Sequence, residues 1–157
     1  MPGKNHRLPM LYFEDLKLGD RFNTPEHTVT AEEIVEFARR YDPQPFHTDA
    51  AKAKETFFGG LVASGWHTAA VSMGLMVRGE MPLDGGVIGH TVDQLRWPRP
   101  VKPGDRLRVV MEVTELGAEP SRTGRGRLKL LCRTLNQEGK LVQEMTANLL
   151  VARRAAS

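Results

Sequence analysis

The first clear pattern along the chain is helical and begins at Thr30. Thr30 and Glu33, three residues later, form the sequence signature of a capping box at a helix start. The apolar residues that follow recur at helical spacing and define one face: Ile34, Val35, Phe37, Ala38 and Tyr41. Pro43 ends this helix, because the residue before a proline avoids the α region. Asp49 is predicted to cap a second, short helix from Ala50 to about Thr56.

A third helix is predicted from Ser64 or Gly65 to about Arg78, with Ser64 as an N-cap rather than a nucleophile. Its residues are apolar or small on almost every side, unlike the one-sided pattern of the first helix. A helix of that composition is buried on most sides. Its small residues would let a sheet approach closely: Ala69, Ala70, Ser72 and Gly74.

The second half of the chain alternates between apolar and polar residues and predicts strands. Between 107 and 113 the odd positions are all apolar, which is the period of a half-buried strand. The other predicted strands are about 21–29, ahead of the helices, and then 87–97, 128–132 and 141–151. Prolines at 98, 100 and 103 interrupt and turn the chain, and Gly139 lies in a further turn.

This order of elements predicts an α+β fold. Consecutive strands joined by short turns pair antiparallel, and an almost wholly apolar helix needs an apolar sheet face around it. We therefore expect a curved antiparallel sheet wrapped around a long central helix. The outer strand edges and outer face need covering, which favours a homodimer or a higher homo-oligomer.

Size and composition are consistent with one domain over residues 1–157. Residues 1–11 contain two prolines and a glycine and are expected to form a flexible arm. Cys132 is the single cysteine, so an intramolecular disulfide is impossible. Neither a secretory signal nor an apolar run of about 20 residues is present, so we expect a cytoplasmic protein without a membrane partner.

Charge gives little support to a nucleic-acid partner. The formal net charge is +3, and no aromatic residues are interleaved with the basic ones. Arginines and lysines do cluster, and such clusters either keep the surface soluble or meet the phosphates of a small ligand. The candidates for phosphate contacts are Arg96, Arg99, Arg122 and Arg125.

The segment from Tyr41 to His47 contains the main candidate for chemistry. Two prolines, Pro43 and Pro45, are expected to prevent a helix and to stiffen an extended turn. Such a turn can direct the side chains of Asp42 and His47 into one cleft. A carboxylate and an imidazole about one water apart form an acid–base pair, able to take a proton from water and return one to carbon.

A second candidate feature is the start of the third helix. A helix N-terminus offers free backbone N–H groups and a positive dipole end. Gly65 has no side chain, so a ligand can approach its N–H closely. That donor suits a thioester carbonyl, which gains negative charge as water adds to a conjugated double bond.

At this point the sequence resembles a known family, the MaoC-like dehydratases and (R)-specific enoyl-CoA hydratases. Their signature reads Asp, any residue, Asn-Pro, an aliphatic residue, His, and a small residue six positions later. The residues that match it are Asp42, Pro45, His47 and Ala53. Gln44 stands where Asn is usual, and Phe46 stands where Leu, Ile or Val is usual. Leu61–Gly65, with Ser64 in place of the usual His, and Arg99–Leu107 also resemble family segments, so the resemblance spans about residues 13–151.

The resemblance implies a hot-dog fold, a dimeric unit and a CoA or carrier-protein thioester as substrate. It implies that Asp42 and His47 hold the catalytic water and that the Gly65 N–H polarises the carbonyl. The candidate substrate-binding residues are Gln44, Phe46, Ser64 and Trp66. The departures at Gln44 and Phe46 bear on which acyl group fits. No cofactor is expected.

Several other interpretations stay open. Asp42 is also suited to a plain turn before proline, and Gly65 to a tight helix start. Asp42, His47 and Asp49 are weak candidates for a metal site, because no fourth ligand is evident. Two other functions are a hot-dog thioesterase, although Trp66–Val77 contains no carboxylate, and a non-catalytic subunit that binds acyl thioesters.

Overall fold

The computed structural model of the protein describes residues 8–118 and 124–155. A 3-10 turn at Phe13–Asp15 precedes the regular elements. The helices are α1 (Ala31–Tyr41), α2 (Pro45–Thr48), α3 (Ala50–Ala53) and α4 (Gly65–Val77). The strands are β1 (Arg21–Asn23), β2 (His27–Thr28), β3 (Ile88–Arg96), β4 (Arg106–Ala118), β5 (Arg125–Leu135) and β6 (Leu141–Ala152).

The strands form one antiparallel sheet in the order β1-β4-β5-β6-β3, with β2 also paired to β4. The three long strands β4, β5 and β6 follow one another through short connections, as predicted. Their registers run from Arg108 opposite Leu135 to Ala118 opposite Gly126, and from Arg125 opposite Ala152 to Leu135 opposite Leu141. The predicted antiparallel α+β architecture is therefore confirmed.

The core lies between α4 and the inner face of this sheet. Leu75 and Met76 of the helix are buried in one cluster with the inward residues of the long strands. Those strand residues alternate, as the period-two pattern predicts: Leu107, Val109, Met111 and Val113 on β4, and Leu128, Leu130 and Cys132 on β5. Burial raises the pKa of the Cys132 thiol to about 12, so this cysteine packs as an apolar side chain.

The central helix is less buried than its composition predicts. Trp66, Ala70, Met73 and Val77 form a stripe along one side of α4, and Trp66 and Val77 keep 60% and 56% of their surface exposed. The expectation of burial on most sides is wrong for this single chain, because the sheet covers only one side of the helix. The stripe is an exposed apolar surface of the kind that marks an interaction site.

Two local predictions also differ from the structure. The single strand expected over 21–29 is two short strands, because Pro25 cannot donate a hydrogen bond to the neighbouring strand. The helix expected from Ala50 to about Thr56 ends at Ala53. Residues 1–7 of the expected arm lie outside the described residues, whereas Leu11 pairs with Leu83.

Candidate active site

Asp42, His47 and Ser64 meet where α1 ends and α4 begins. Asp42 is the C-cap of α1, His47 lies on α2, and Ser64 is the N-cap of α4. The expectation that both prolines prevent a helix is wrong for Pro45, which starts α2. Proline is well tolerated at the first helical position, because its missing N–H has no partner there in any case. His47 is therefore aimed by a single helical turn rather than by an extended segment.

His47 is buried, and a hydrogen bond holds its ring at Nδ1. Its Nδ1 lies 2.7 Å from the carbonyl oxygen of Val62. Because a carbonyl only accepts hydrogen bonds, Nδ1 carries the proton of the neutral ring. Nε2 is then unprotonated and lies 3.3 Å from Oδ2 of Asp42. The exchangeable proton site of His47 thus faces the carboxylate.

Two further side chains hold the Asp42 carboxylate. Gln44 Nε2 donates to Oδ1 at 2.6 Å, and Ser64 Oγ donates to Oδ2 at 2.7 Å. Burial raises the pKa of Asp42, but the hydrogen bonds from Gln44 and Ser64 and the adjacent His47 outweigh burial, so the pKa lies below its ordinary value. Asp42 is therefore an ionised acceptor beside Nε2 of His47.

The start of α4 presents a free donor beside this pair. Ser64 caps the helix by accepting from the Trp66 N–H, as predicted. Within residues 8–118 and 124–155, no group accepts a hydrogen bond from the Gly65 N–H. The N-terminal end of the helix carries a partial positive charge, which favours developing negative charge on a ligand.

A cavity of about 290 Å³ joins the histidine to this helix start. Its walls are mostly apolar and include His47, Phe58, Gly65, Thr68, Trp97 and Val101. Arg99 lies at the same cavity and donates to the Leu141 carbonyl oxygen. A mostly apolar cleft with a few convergent polar groups is the usual form of a small-molecule site.

The candidate substrate-binding residues Gln44, Phe46, Ser64 and Trp66 are not among the residues that line this cavity. Gln44 and Ser64 contact Asp42, and Phe46 packs edge-on against His47 with ring centroids 4.5 Å apart. Trp66 points outward on α4 and contacts Trp97. Sequence reasoning did not single out Phe58, Thr68 or Trp97, because each reaches the cavity through the tertiary fold and carries no local motif.

The basic residues proposed for phosphate contacts lie in different parts of the structure. Arg96 pairs with Glu144, and Arg99 lies at the cavity. Arg125 lies on β5, away from these groups, and Arg122 lies outside the described residues.

Asp49, the third candidate metal ligand, caps α3 by accepting from Ala51 and Lys52. In the described part of the chain, no group of three or more His, Cys, Asp or Glu residues is arranged to hold a metal, and no helix there is long and apolar enough to cross a membrane.

Comparisons with known proteins identify a family and related structures. The family model described as a MaoC like domain matches residues 15–129. A MaoC-like dehydratase from Rhodospirillum rubrum is 46% identical, with a TM-score of 0.88, and the match covers 93% of this chain and 99% of that one. The R-hydratase PhaJ1 from Pseudomonas aeruginosa is 28% identical, with a TM-score of 0.72 over 91% of this chain and 86% of that one.

A third comparison concerns the fold alone. The Mycobacterium tuberculosis protein RV0216, described as having a double hotdog fold, is 20% identical with a TM-score of 0.74, and the match covers 96% of this chain and 47% of that one. The six-stranded antiparallel sheet around α4 is thus a hot-dog fold, and the relatives named as dehydratase and hydratase support a dehydratase-type enzyme. The chain belongs to the MaoC-like domain family.

Proposed function

We propose that this protein is a hydro-lyase that reversibly hydrates an enoyl thioester to the 3-hydroxyacyl thioester. The observation that carries the proposal is the 3.3 Å approach of His47 Nε2 to Asp42 Oδ2, beside a cavity that also contains the free N–H of Gly65. A histidine and a carbonyl donor on one apolar cleft, with a carboxylate beside the histidine, are the groups that this reaction needs.

In the proposed chemistry, a water lies within hydrogen-bond reach of the adjacent Asp42 and His47 side chains, and the thioester carbonyl lies at the Gly65 N–H. The water oxygen bonds to C3, and the electron pair of the C2–C3 double bond moves toward C2 and the thioester oxygen. The Gly65 N–H stabilises the negative charge on that oxygen. The Asp42–His47 pair takes one proton from water, and C2 gains one proton. Dehydration is the same sequence in reverse.

Two features support the pair as the proton carrier. The Val62 carbonyl holds the proton of Nδ1, so a proton from water goes to Nε2. The lowered pKa of Asp42 keeps its carboxylate ionised beside that nitrogen, which stabilises the imidazolium. The hydrogen bonds from Gln44 and Ser64 fix the carboxylate in this geometry.

The proposal includes a dimeric unit of identical chains. β3 is at the end of the sheet and pairs only with β6 among the described strands, so its outer edge is open. The apolar stripe on α4 is exposed in the single chain. A second copy would cover both surfaces, and self-complementary surfaces of this kind are typical of twofold dimers.

The test follows the absorbance of the conjugated double bond of crotonyl-CoA. We expect the wild-type protein to consume it, and we expect Asp42→Asn and His47→Gln to lose about 10² to 10⁴-fold in rate, the usual contribution of an acid–base group. Asp49→Asn is the matched control, since Asn also caps helices and the Asp49 side chain accepts from Ala51 and Lys52 at the start of α3. Equal rates in all four proteins would contradict the proposed mechanism.

Two further measurements, thiol release and thioester binding, distinguish the two other functions from the hydratase. A thioesterase would release free thiol from saturated butanoyl-CoA. A non-catalytic binding subunit would bind thioesters without turning over crotonyl-CoA or any longer, branched or dicarboxylic enoyl-CoA. Either result would exclude the proposed hydratase.

A further inference from the structure

The indole of Trp97 lies directly on Gly65. A Cβ atom built on Gly65 would be 2.6 Å from Cε2 and 2.7 Å from Cδ2 of Trp97, closer than side-chain carbons approach one another. Trp97 also lines the cavity that contains His47 and Gly65. The indole is therefore the wall of the cavity next to the free N–H at the start of α4.

A buried amide holds this wall in place. Trp97 Nε1 donates to Oε1 of Gln143 at 2.9 Å, and Gln143 is only 1% exposed. A polar side chain buried to that degree costs free energy unless it is hydrogen-bonded. The indole N–H is a donor only, so this bond fixes both the position and the orientation of the ring.

Two irregularities in the sheet lie next to these residues. On β6 the pairing passes from Thr134 opposite Gln143 to Leu135 opposite Leu141, and Val142 and Gln143 are both buried where alternation would expose one of them. On β3 the pairing shifts between Asp93 and Arg96, and Gln94 has a φ of +51°, in the region that favours glycine. Bulges redirect side chains, and strained residues occur preferentially near functional sites.

We infer that Trp97 is a specificity-determining residue that makes this site selective for thioesters without a substituent at C2. The inference rests on the proposed function, which places the thioester carbonyl at the Gly65 N–H. C2 is bonded to the carbonyl carbon, so it lies beside the same wall. A methyl group on C2 that points toward this wall meets an indole that leaves no space even for a methyl on Gly65.

The catalytic test compares crotonyl-CoA with 2-methylcrotonyl-CoA, which differ by one methyl at C2. One methylene in an apolar pocket discriminates by about 10 to 200-fold. We expect wild type to prefer the unbranched substrate in kcat/KM by at least about 10-fold, and Trp97→Ala to move that ratio toward the branched substrate by a similar factor. Trp97→Phe should fall between them. Gln143→Met, which removes the amide acceptor, should move the ratio in the same direction as Trp97→Ala.

A binding measurement keeps this inference separate from the hydratase proposal. Dissociation constants for butanoyl-CoA and 2-methylbutanoyl-CoA, measured by calorimetry on the same variants, require no turnover. A shift in their ratio in Trp97→Ala supports the inference even if no variant hydrates an enoyl thioester. An unchanged ratio in Trp97→Ala or, if that variant does not fold, in Trp97→Phe, overturns it even if hydration is established. Failure of wild type to bind either thioester also overturns it.

Discussion

Ser64 Oγ donates a 2.7 Å hydrogen bond to Oδ2 of Asp42, so the residue that caps the central helix also holds the candidate catalytic carboxylate. The same oxygen of Asp42 lies 3.3 Å from Nε2 of His47. One short side chain therefore fixes the distance between the helix start, which supplies the Gly65 N–H, and the acid–base pair. Ser64, which stands where the family usually has His, thus holds the candidate catalytic carboxylate although it does not line the cavity.

Replacing Ser64 should lower activity and stability for separate reasons. Ser64→Ala removes a helix cap, which costs about 1 kcal/mol of unfolding free energy, and it frees one oxygen of the carboxylate. Thr30→Ala is the matched control, because it removes the cap of α1 at a distance from the site. We expect similar losses in denaturant midpoint for the two variants, but a lower kcat only in Ser64→Ala. A normal kcat in Ser64→Ala would show that the Ser64–Asp42 bond does not position the carboxylate.

The pH profile should depend on the hydrogen bonds to Asp42. Its lowered pKa keeps the carboxylate ionised to lower pH than an ordinary Asp, so activity that requires the ionised form is lost only in strong acid. Gln44→Leu removes a hydrogen bond to the charged form and should raise the pKa, which moves the acid limb of kcat/KM to higher pH.

A suitable control for this shift exists elsewhere in the chain. Gln137 Nε2 donates to Oδ1 of Asp105 at 2.9 Å, so Gln137→Leu breaks the same kind of pair away from the site. Its acid limb should coincide with that of wild type. If Gln44→Leu and Gln137→Leu gave the same profile as wild type, the hydrogen bond from Gln44 would have no role in the titration of the active form.

Much of this geometry follows from local sequence signals. The capping box at Thr30, the cap at Ser64 and the alternating strands act over a few residues, so their patterns predicted α1, α4 and the sheet. Asp42 and His47 are only five residues apart, so local stiffness was enough to predict that they meet. The prediction failed in detail at Pro45, since a proline that excludes the interior of a helix also favours its first position.

The cavity wall had no comparable signal. Trp97 and Gln143 are 46 residues apart and meet only through the pairing of β3 with β6, next to register shifts in both strands. A period-two pattern places Gln143 on the same inner face as Met145 and Ala147, but it gives no reason to pair this amide with an indole. The proposed selectivity at C2 therefore depends on a contact between distant residues, which hydrophobic periodicity cannot predict.

Gly65 should tolerate a methyl group only when Trp97 is removed. Gly65→Ala places a Cβ against the indole, and overpacking of this kind costs about 1–3 kcal/mol. In the double variant Gly65→Ala, Trp97→Ala the clash is absent. Its loss of unfolding free energy should therefore be smaller than the sum of the losses in the two single variants. Gly60→Ala is the control, because nothing lies within 4 Å of its Cβ. Simple additivity in chemical denaturation would contradict the close contact between Gly65 and Trp97.

Stability should fall in mild acid because of His67. This residue is buried on α4, stacks on Phe37 with ring centroids 4.8 Å apart, and lies 3.6 Å from the Glu33 carboxylate. Burial lowers its pKa, the nearby Glu33 raises it and His27 lowers it, and the net direction is downward. Above about pH 6.5 the ring is neutral in both folded and unfolded chains. Below that pH the unfolded chain takes up a proton that the folded chain resists, so unfolding free energy decreases.

The measurement is the unfolding free energy of wild type and His67→Gln between pH 7.5 and 5 or so. The contribution of His67 is at most about 1.4 kcal/mol per pH unit and should be missing from the slope of the variant. His90→Gln, which changes an exposed histidine of β3, should retain the wild-type slope. Parallel curves for wild type and His67→Gln would show that protonation of His67 does not couple to folding.

The last prediction concerns the apolar stripe on α4. Val77 is 56% exposed and Met73 is 39% exposed, and they lie one helical turn apart beside the open edge of the sheet at β3. If a second copy of the chain covers this surface, a charge at either position is desolvated without a partner, which is costly. We expect Met73→Glu and Val77→Asp to shift sedimentation equilibrium from dimer to monomer at micromolar concentration. Lys140→Glu, at the exposed turn before β6, should leave the association state unchanged. A wild-type chain that sediments as a monomer would refute the interface, and dimers that persist in both charged variants would place it on another surface.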